Sequence, residues 1–224
     1  PITEEKTFND DVTKEISLMV WTMVEDNDGF IWFSQFGPNS LWRFDPHTGK
    51  FDVFRSVINP PYQMKVDKET GDIWYTTLTH NTLGVIQKIE NKSYSSYKIT
   101  EFDVGIDSYP AGLFLQRDHV WTSQIQNHKL IKFNIIKDNS GMVKDVVNAL
   151  EIPSNDNEPI YLPTDLLISN SNSVWFTEHG TSTITNYQMN SSHLTRFPTS
   201  ANQYQTTTLP FWMKQSTDDQ GFWF

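Results

Sequence analysis

The sequence predicts an all-β chain: a β-propeller built from four-stranded antiparallel blades. Three observations carry this. Trp32, Trp74, Trp121, Trp175 and Trp223 recur at spacings of 42, 47, 54 and 48 residues. A polar turn rich in Asp, Asn and Gly precedes each of them, and a proline opens four of the repeats. Propeller blades repeat at about 40–50 residues. A β-sandwich also places a strand every 8–12 residues or so, but it gives no reason for turn, Trp and Pro to recur in one order.

The elements follow from the residues in turn. Short apolar first strands are expected at Trp21–Val24, Tyr62–Val66, Ala111–Leu115, Asp165–Ile168 and Phe211–Lys214. Pro61, Pro110, Pro163 and Pro210 stand ahead of four of them, where a missing N–H costs no ladder bond. Turns follow at Asp26–Gly29, Lys68–Gly71, Gln116–Asp118, Asn170–Asn172 and Asp218–Gly221, with residues that tolerate positive φ. The Trp strands come next. Third strands such as Leu41–Asp45 and Leu130–Asn134 alternate apolar and polar residues, the period-2 mark of a half-buried strand. Fourth strands are expected at Phe51–Arg55, Tyr97–Phe102, Val146–Ile152 and Leu194–Phe197.

This amounts to about four and a half blades over residues 18–224, with residues 1–17 as a linker or closing strand. A single closed ring of such blades needs more of them, so the 224 residues are expected to be part of a longer protein. The chain opens on Pro1, not Met.

Composition narrows the function. Hydrophobic residues make up 37% and aromatics 14%, so large rings supply much of the buried area. The net charge is −10. Without clustered Lys and Arg to displace counterions, nucleic-acid binding is excluded, and attraction to an anionic membrane is disfavoured. No apolar run approaches the ~20 residues of a membrane span. With no cysteine, disulfides, thiolate zinc sites and thiol catalysis fall away.

At the Trp strands the sequence resembles a known family. Asp28-Gly29-Phe30-Ile31-Trp32-Phe33-Ser34-Gln35, Ser173-Val174-Trp175-Phe176-Thr177-Glu178-His179-Gly180 and the strand and turn Arg43–Lys50 are similar to the blade signature of the streptogramin B lyase (virginiamycin B lyase) family. The resemblance spans residues ~20–224 as a repeat. It implies a seven-bladed propeller and, in characterised members, Mg²⁺-dependent opening of a cyclic depsipeptide by elimination. It also implies active-site histidines just after the proline of late blades. Here those positions hold Tyr62, Ala111, Thr164 and Phe211, so either the catalytic blades lie beyond Phe224 or this protein has no such site. Gly84-Val85-Ile86 keeps part of the family's third-strand motif, whereas Thr183-Ile184-Thr185 does not.

Several side chains are candidates for a site. Glu178 as a cation ligand and His179 as a base would suit an elimination, although neighbours on a strand point to opposite faces. Gln35, Thr77, Gln124 and Glu178 occupy one position in four successive blades and would line a polar, ligand-binding surface. No other cofactor is indicated besides the Mg²⁺ that the resemblance implies. His47, His80, His119, His128 and His193 lack ligand spacing and read as surface residues. Asp26-Asn27-Asp28-Gly29 lacks the later acidic ligand of an EF-hand and reads as a hairpin turn. Phe36, Trp42, Phe211 and Trp212 read as packing between blades. Asn91 and Asn190 begin glycosylation sequons near turns, in keeping with an exported or cell-surface protein of a prokaryote.

The expected function is a binding or structural module for a protein, a glycan or a small polar ligand. The alternatives are a lyase of the resembled family and a scaffold subunit of a larger surface assembly.

Overall fold

The computed structural model describes residues 6–7, 19–36, 40–54, 59–90, 95–153, 159–169, 172–199, 209–216 and 221–224. Its described residues hold strands and turns and no helix. The chain divides into two compact units: 1–104 with 138–143, and 105–137 with 144–224.

The first unit holds two blades. Blade 1 comprises β1 (Lys6–Thr7), β2 (Met19–Glu25), β3 (Ile31–Phe36), β4 (Ser40–Asp45) and β5 (Lys50–Phe54), in the order β1-β5-β4-β3-β2. Blade 2 comprises β6 (Gln63–Val66), β7 (Ile73–Thr77), β8 (Thr82–Glu90) and β9 (Ser95–Asp103), paired in sequence order. The short pair at Lys6–Thr7 lies against Asp52 and Val53, on the outermost strand of blade 1.

The second unit repeats the plan. Blade 3 is β10 (Pro110–Gln116), β11 (His119–Gln124), β12 (Lys129–Lys137) and β13 (Val143–Ile152). Blade 4 is β14 (Pro163–Ser169), β15 (Ser173–Glu178), β16 (Thr183–Gln188) and β17 (His193–Pro198). A two-stranded sheet, β18 (Lys214–Gln215) and β19 (Phe222–Trp223), begins a fifth. The propeller fold expected from the Trp repeat is therefore observed.

One boundary differs. The sequence places the fifth first strand at Phe211–Lys214, yet pairing begins only at Lys214. The Met213 N–H is used elsewhere, donating to the buried Asp165 carboxylate at 2.8 Å. The expected turns at Asn170–Ser171 and Asp218–Gln220 lie outside the described residues.

Each blade has two faces, and strand register assigns residues to them. In the first unit Trp32, Leu41 and Phe54 of blade 1 pack against Met64, Ile73, Tyr75 and Ile86 of blade 2. In the second unit Trp121, Leu130 and Ile152 of blade 3 pack against Leu166, Val174, Phe176 and Tyr187 of blade 4. Within each unit Trp32 and Trp121 thus face the following blade, and Tyr75 and Phe176, each next after a repeated Trp, face the preceding one.

The residues two after Trp121 and Trp175 share a second device. The first strands bulge at one place, after Val20, Pro110 and Pro163. A bulge leaves a backbone N–H off the ladder, and a buried hydroxyl receives it. Ser123 Oγ accepts from Gly112 N at 2.7 Å and Thr177 Oγ1 from Asp165 N at 3.0 Å. Ser123 then donates to the Thr164 carbonyl of the next blade at 2.9 Å. One hydroxyl thereby stitches its own blade to its neighbour. Periodicity alone does not reveal this, because a Ser or Thr on a strand also reads as a polar face.

The Asp26 turn is structural. Its Oδ1 accepts the N–H of Asp28 and of Phe30 at 2.9 and 3.0 Å, and its Oδ2 accepts Trp32 Nε1–H at 2.7 Å. The carboxylate therefore closes the hairpin and anchors the tryptophan.

Candidate functional site

The polar position three after Trp lies at or next to the end of the second strand in blades 1–4. Gln35, Thr77, Gln124 and Glu178 are all buried there. Gln35, Thr77 and Gln124 each bond across the loop between second and third strands. Gln35 Oε1 accepts Trp42 Nε1–H at 2.9 Å and the Ser40 hydroxyl at 3.2 Å, while its buried Nε2 has no protein partner. Thr77 Oγ1 accepts Thr82 N–H at 3.1 Å and lies 2.7 Å from Thr82 Oγ1. Gln124 Oε1 accepts Asn127 Nδ2–H at 3.2 Å. These side chains fix the shape of the turn between second and third strands.

Glu178 makes the densest set of contacts. Oε1 accepts the Tyr161 N–H at 2.7 Å; Oε2 accepts Arg196 Nε–H at 2.9 Å and the Thr185 hydroxyl. A buried carboxylate is tolerable only when paired and hydrogen-bonded, and Arg196 with Tyr161 meets that condition. Sequence reading missed both partners. The only signal was a lone Arg on the fourth strand, two strand pairings away from the one acidic member of the series.

His179 belongs to a different neighbourhood. Its backbone N–H donates to the Leu162 carbonyl at 3.1 Å, and its ring lies 5.2 Å from that of Phe211. Burial lowers the imidazole pKa below 6.5, opposed by a hydrogen bond to the Pro210 backbone carbonyl. The ring is neutral near pH 7, and its Nε2 is buried with no protein partner. Glu178 and His179 thus have separate sets of partners, as adjacent strand positions require.

Mg²⁺ would need carboxylate oxygens with free lone pairs. Both Glu178 oxygens are engaged by donors of the protein, one of them the Arg196 cation. Among the described residues no group of three His, Asp or Glu side chains converges on a metal position. The donor set of the described residues does not fit the ion.

What unit two does present is an aromatic rim at the starts of its first strands. Tyr109, Tyr161 and Trp212 stand beside Pro110, Pro163 and Pro210, and all three are exposed. The backbone beneath two of them is strained: Tyr109 has φ 47° and Leu162 φ 51°. Bulky residues adopt this region only when neighbours hold them there. Here Ile125 N–H bonds the Tyr109 carbonyl at 3.2 Å, and His179 N–H bonds that of Leu162. His128 Nδ1 accepts the Leu162 N–H at 3.1 Å, and its ring meets that of Tyr161 edge-on at 6.2 Å. Gly180 lies so close to Tyr161 that a Cβ would come within 2.6 Å of the tyrosine's own.

The remaining candidates take simpler places. His47, His80 and His193 are exposed, and His119 is half-buried. Asn190 lies exposed on the turn between β16 and β17, where its Oδ1 accepts from Asn172 Nδ2 at 2.7 Å. Asn91 and the Phe36 side chain lie outside the described residues. Trp42 stacks on Phe33 at 6.0 Å, within its own blade.

No protein-family model and no curated protein sequence matches the chain. Solved structures do. The chain is similar to a streptogramin B lyase at 21% identity and a TM-score of 0.66, covering 97% of this chain and 64% of that one. Virginiamycin B lyase from Staphylococcus aureus gives 17% identity and 0.61, covering 97% and 65%. A periplasmic gluconolactonase from Pseudomonas aeruginosa gives 9% identity and 0.63, covering 90% and 61%. At these identities the likeness establishes the fold, the lyase-like propeller that the Trp-strand motifs resemble. The chain spans under two thirds of the length of these structures.

Proposed function

We propose that these residues form part of an exported or cell-surface binding propeller. Its ligand face is the rim of Tyr109, Tyr161 and Trp212. The observation behind this reading is the exposure of three large rings close to the prolines that open the first strands, with Tyr109 itself at positive φ and Tyr161 followed by Leu162 at positive φ. Exposed aromatics on a rigid support give large contact area at small entropic cost. Glu178, whose carboxylate accepts the Tyr161 N–H, is already paired with Arg196. A neutral ligand with a flat apolar face and hydroxyl groups suits such a rim, and a glycan has that chemistry. The fold itself is compatible with many functions, as a lyase and a gluconolactonase on the same architecture show.

The test is to screen the 224-residue protein against immobilised neutral oligosaccharides, then compare Tyr161→Ala and Trp212→Ala. Each substitution removes an exposed anchor, and a loss of ~10-fold or more in affinity is expected for a central aromatic contact. Binding that both variants retain unchanged would overturn the assignment of the rim, and no binding at all would overturn the ligand class.

The second reading is a lyase whose catalytic blades lie outside these residues. The structural likeness to streptogramin B lyase favours it. Mg²⁺-dependent opening of a cyclic depsipeptide by the full natural polypeptide, and none by residues 1–224, is the result it requires.

A further inference from the structure

The Tyr161 edge of the rim depends on an imidazole. His128 ends the turn between β11 and β12 and is exposed. Its Nδ1 lies 3.1 Å from the Leu162 nitrogen. A backbone N–H can only donate, so Nδ1 carries no proton and the neutral ring has its proton on Nε2. Leu162 has φ 51°, a conformation that a leucine keeps only while its neighbours hold it. Four hydrogen bonds hold Tyr161 and Leu162. Glu178 Oε1 accepts the Tyr161 N–H at 2.7 Å, and the Tyr161 carbonyl accepts the Gly180 N–H at 3.2 Å. The Leu162 carbonyl accepts the His179 N–H at 3.1 Å, and His128 supplies the fourth bond. The Tyr161 ring, 44% exposed, then meets the His128 ring edge-on at 6.2 Å. Backbone amides do not titrate, and the Glu178 carboxylate is paired with Arg196. An imidazole changes charge between about pH 5 and 8.

We propose that His128 is a pH latch on the aromatic rim. A proton taken from solvent onto Nδ1 turns that atom from acceptor to donor. It then faces the Leu162 N–H donor to donor, the bond is lost, and Leu162 relaxes from positive φ and carries the Tyr161 ring with it. The inference rests on the rim reading given above and adds its regulation: the ligand is held near neutral pH and released in acid. The elements around His128 bring other charged and titratable groups. Tyr161 comes from the entry to blade 4, with Arg196 Cζ 6.0 Å from its ring and Glu178 on its N–H. His179 holds Leu162 by its own backbone N–H. Lys129, next in the chain, pairs with Glu151 at 2.7 Å. Asp107 stands on the loop whose Ile106 carbonyl accepts Asn127 Nδ2–H at 3.4 Å. Arg196 and Lys129 thus each have a carboxylate partner, and among the four bonds to Tyr161 and Leu162 only that of His128 turns on an imidazole nitrogen.

The test is an NMR titration of the protein from about pH 7.5 to about pH 5, across the histidine range. The Leu162 amide and the Tyr161 ring are followed. In the parent both signals move together along one curve, and protection of the Leu162 amide from exchange falls about 10-fold or more at the acid end. His128→Asn keeps an acceptor oxygen and a residue that tolerates the φ of 55° found here, but it does not titrate. In that variant both signals stay flat. His179→Gln keeps the curve, which separates the latch from the neighbouring imidazole. Affinity for the neutral oligosaccharide falls about 10-fold between the two pH values in the parent, as for loss of a central aromatic contact, and does not vary with pH in His128→Asn. Signals that stay flat in the parent, or that move equally in His128→Asn, would overturn the latch. So would an affinity that is the same at both pH values in the parent. If no oligosaccharide binds at either pH, the rim reading alone falls, and the Leu162 and Tyr161 signals decide the latch by themselves.

Discussion

Replacing Gly84 by alanine tests how blade 2 is packed. Gly84 is paired directly with Tyr75 across β7 and β8, and it is not one of the positive-φ glycines. Its backbone therefore accepts alanine without strain. The space does not. A Cβ on Gly84 would lie 2.0 Å from Tyr75 Cζ and 2.4 Å from Cε1 and Cε2. The ring lies flat over the glycine and is fully buried, with its hydroxyl donating to Glu101 Oε1 at 2.9 Å. Moving the ring introduces overpacking of about 1–3 kcal/mol. Losing the bond to the carboxylate adds about 1–3 kcal/mol. The expected destabilisation is thus roughly 2–6 kcal/mol in sum. The assay is a urea titration read by hydrogen exchange of peptides covering β7 and β8, which isolates this blade from the rest of the chain. A double-mutant cycle gives the cause. In a Tyr75→Leu background the clash is gone, and Gly84→Ala should change stability by less than about 0.5 kcal/mol. If the substitution costs as much without the ring as with it, or under about 1 kcal/mol in the parent, the packing argument fails.

Other outcomes follow from the same structure. Glu178→Gln leaves the Arg196 cation, whose side chain is 31% exposed, without its counterion and should destabilise blade 4 by about 1–3 kcal/mol; Arg196→Met in the same chain should recover part of it, as thermal unfolding would show. Ser123→Ala strips the acceptor from Gly112 N–H and the donor from the Thr164 carbonyl, for about 1–3 kcal/mol, seen as faster exchange at the Gly112 amide. Below pH 6.5 the unfolded His179 ring binds a proton that the folded ring resists, because burial depresses its folded pKa. Stability present above pH 6.5 is therefore lost as pH falls through the folded value, and His179→Gln should flatten that part of the profile. At the alkaline end, burial foremost and then the Glu101 charge raise the Tyr75 phenol well above 10. The stability it contributes below pH 10 is lost as pH rises, and Tyr75→Phe should remove that slope in denaturation curves above pH 9 or so.

The sequence by itself determined the repeat, and with it the blade. Trp, turn and proline recur because each serves a local need: a ring to bury, a positive φ to accept, an N–H that need not pair. Strand period 2 is equally local, so Leu41–Asp45 and Leu130–Asn134 could be read directly. Local patterns could not say which polar residue meets which. Glu178 read as a cation ligand, but Arg196 and the Tyr161 N–H reach it from strands and loops 18 and 17 residues away. Gln35, Thr77 and Gln124 read as a lining, and cross-strand geometry turned each back into its own hairpin. The same holds for Gly84, which looks like a fragment of a family motif until the Tyr75 ring is placed over it. Backbone preference and burial are decided by neighbours along the chain, whereas hydrogen-bond partners and steric limits are decided by neighbours across it. Only the tertiary structure brings those together.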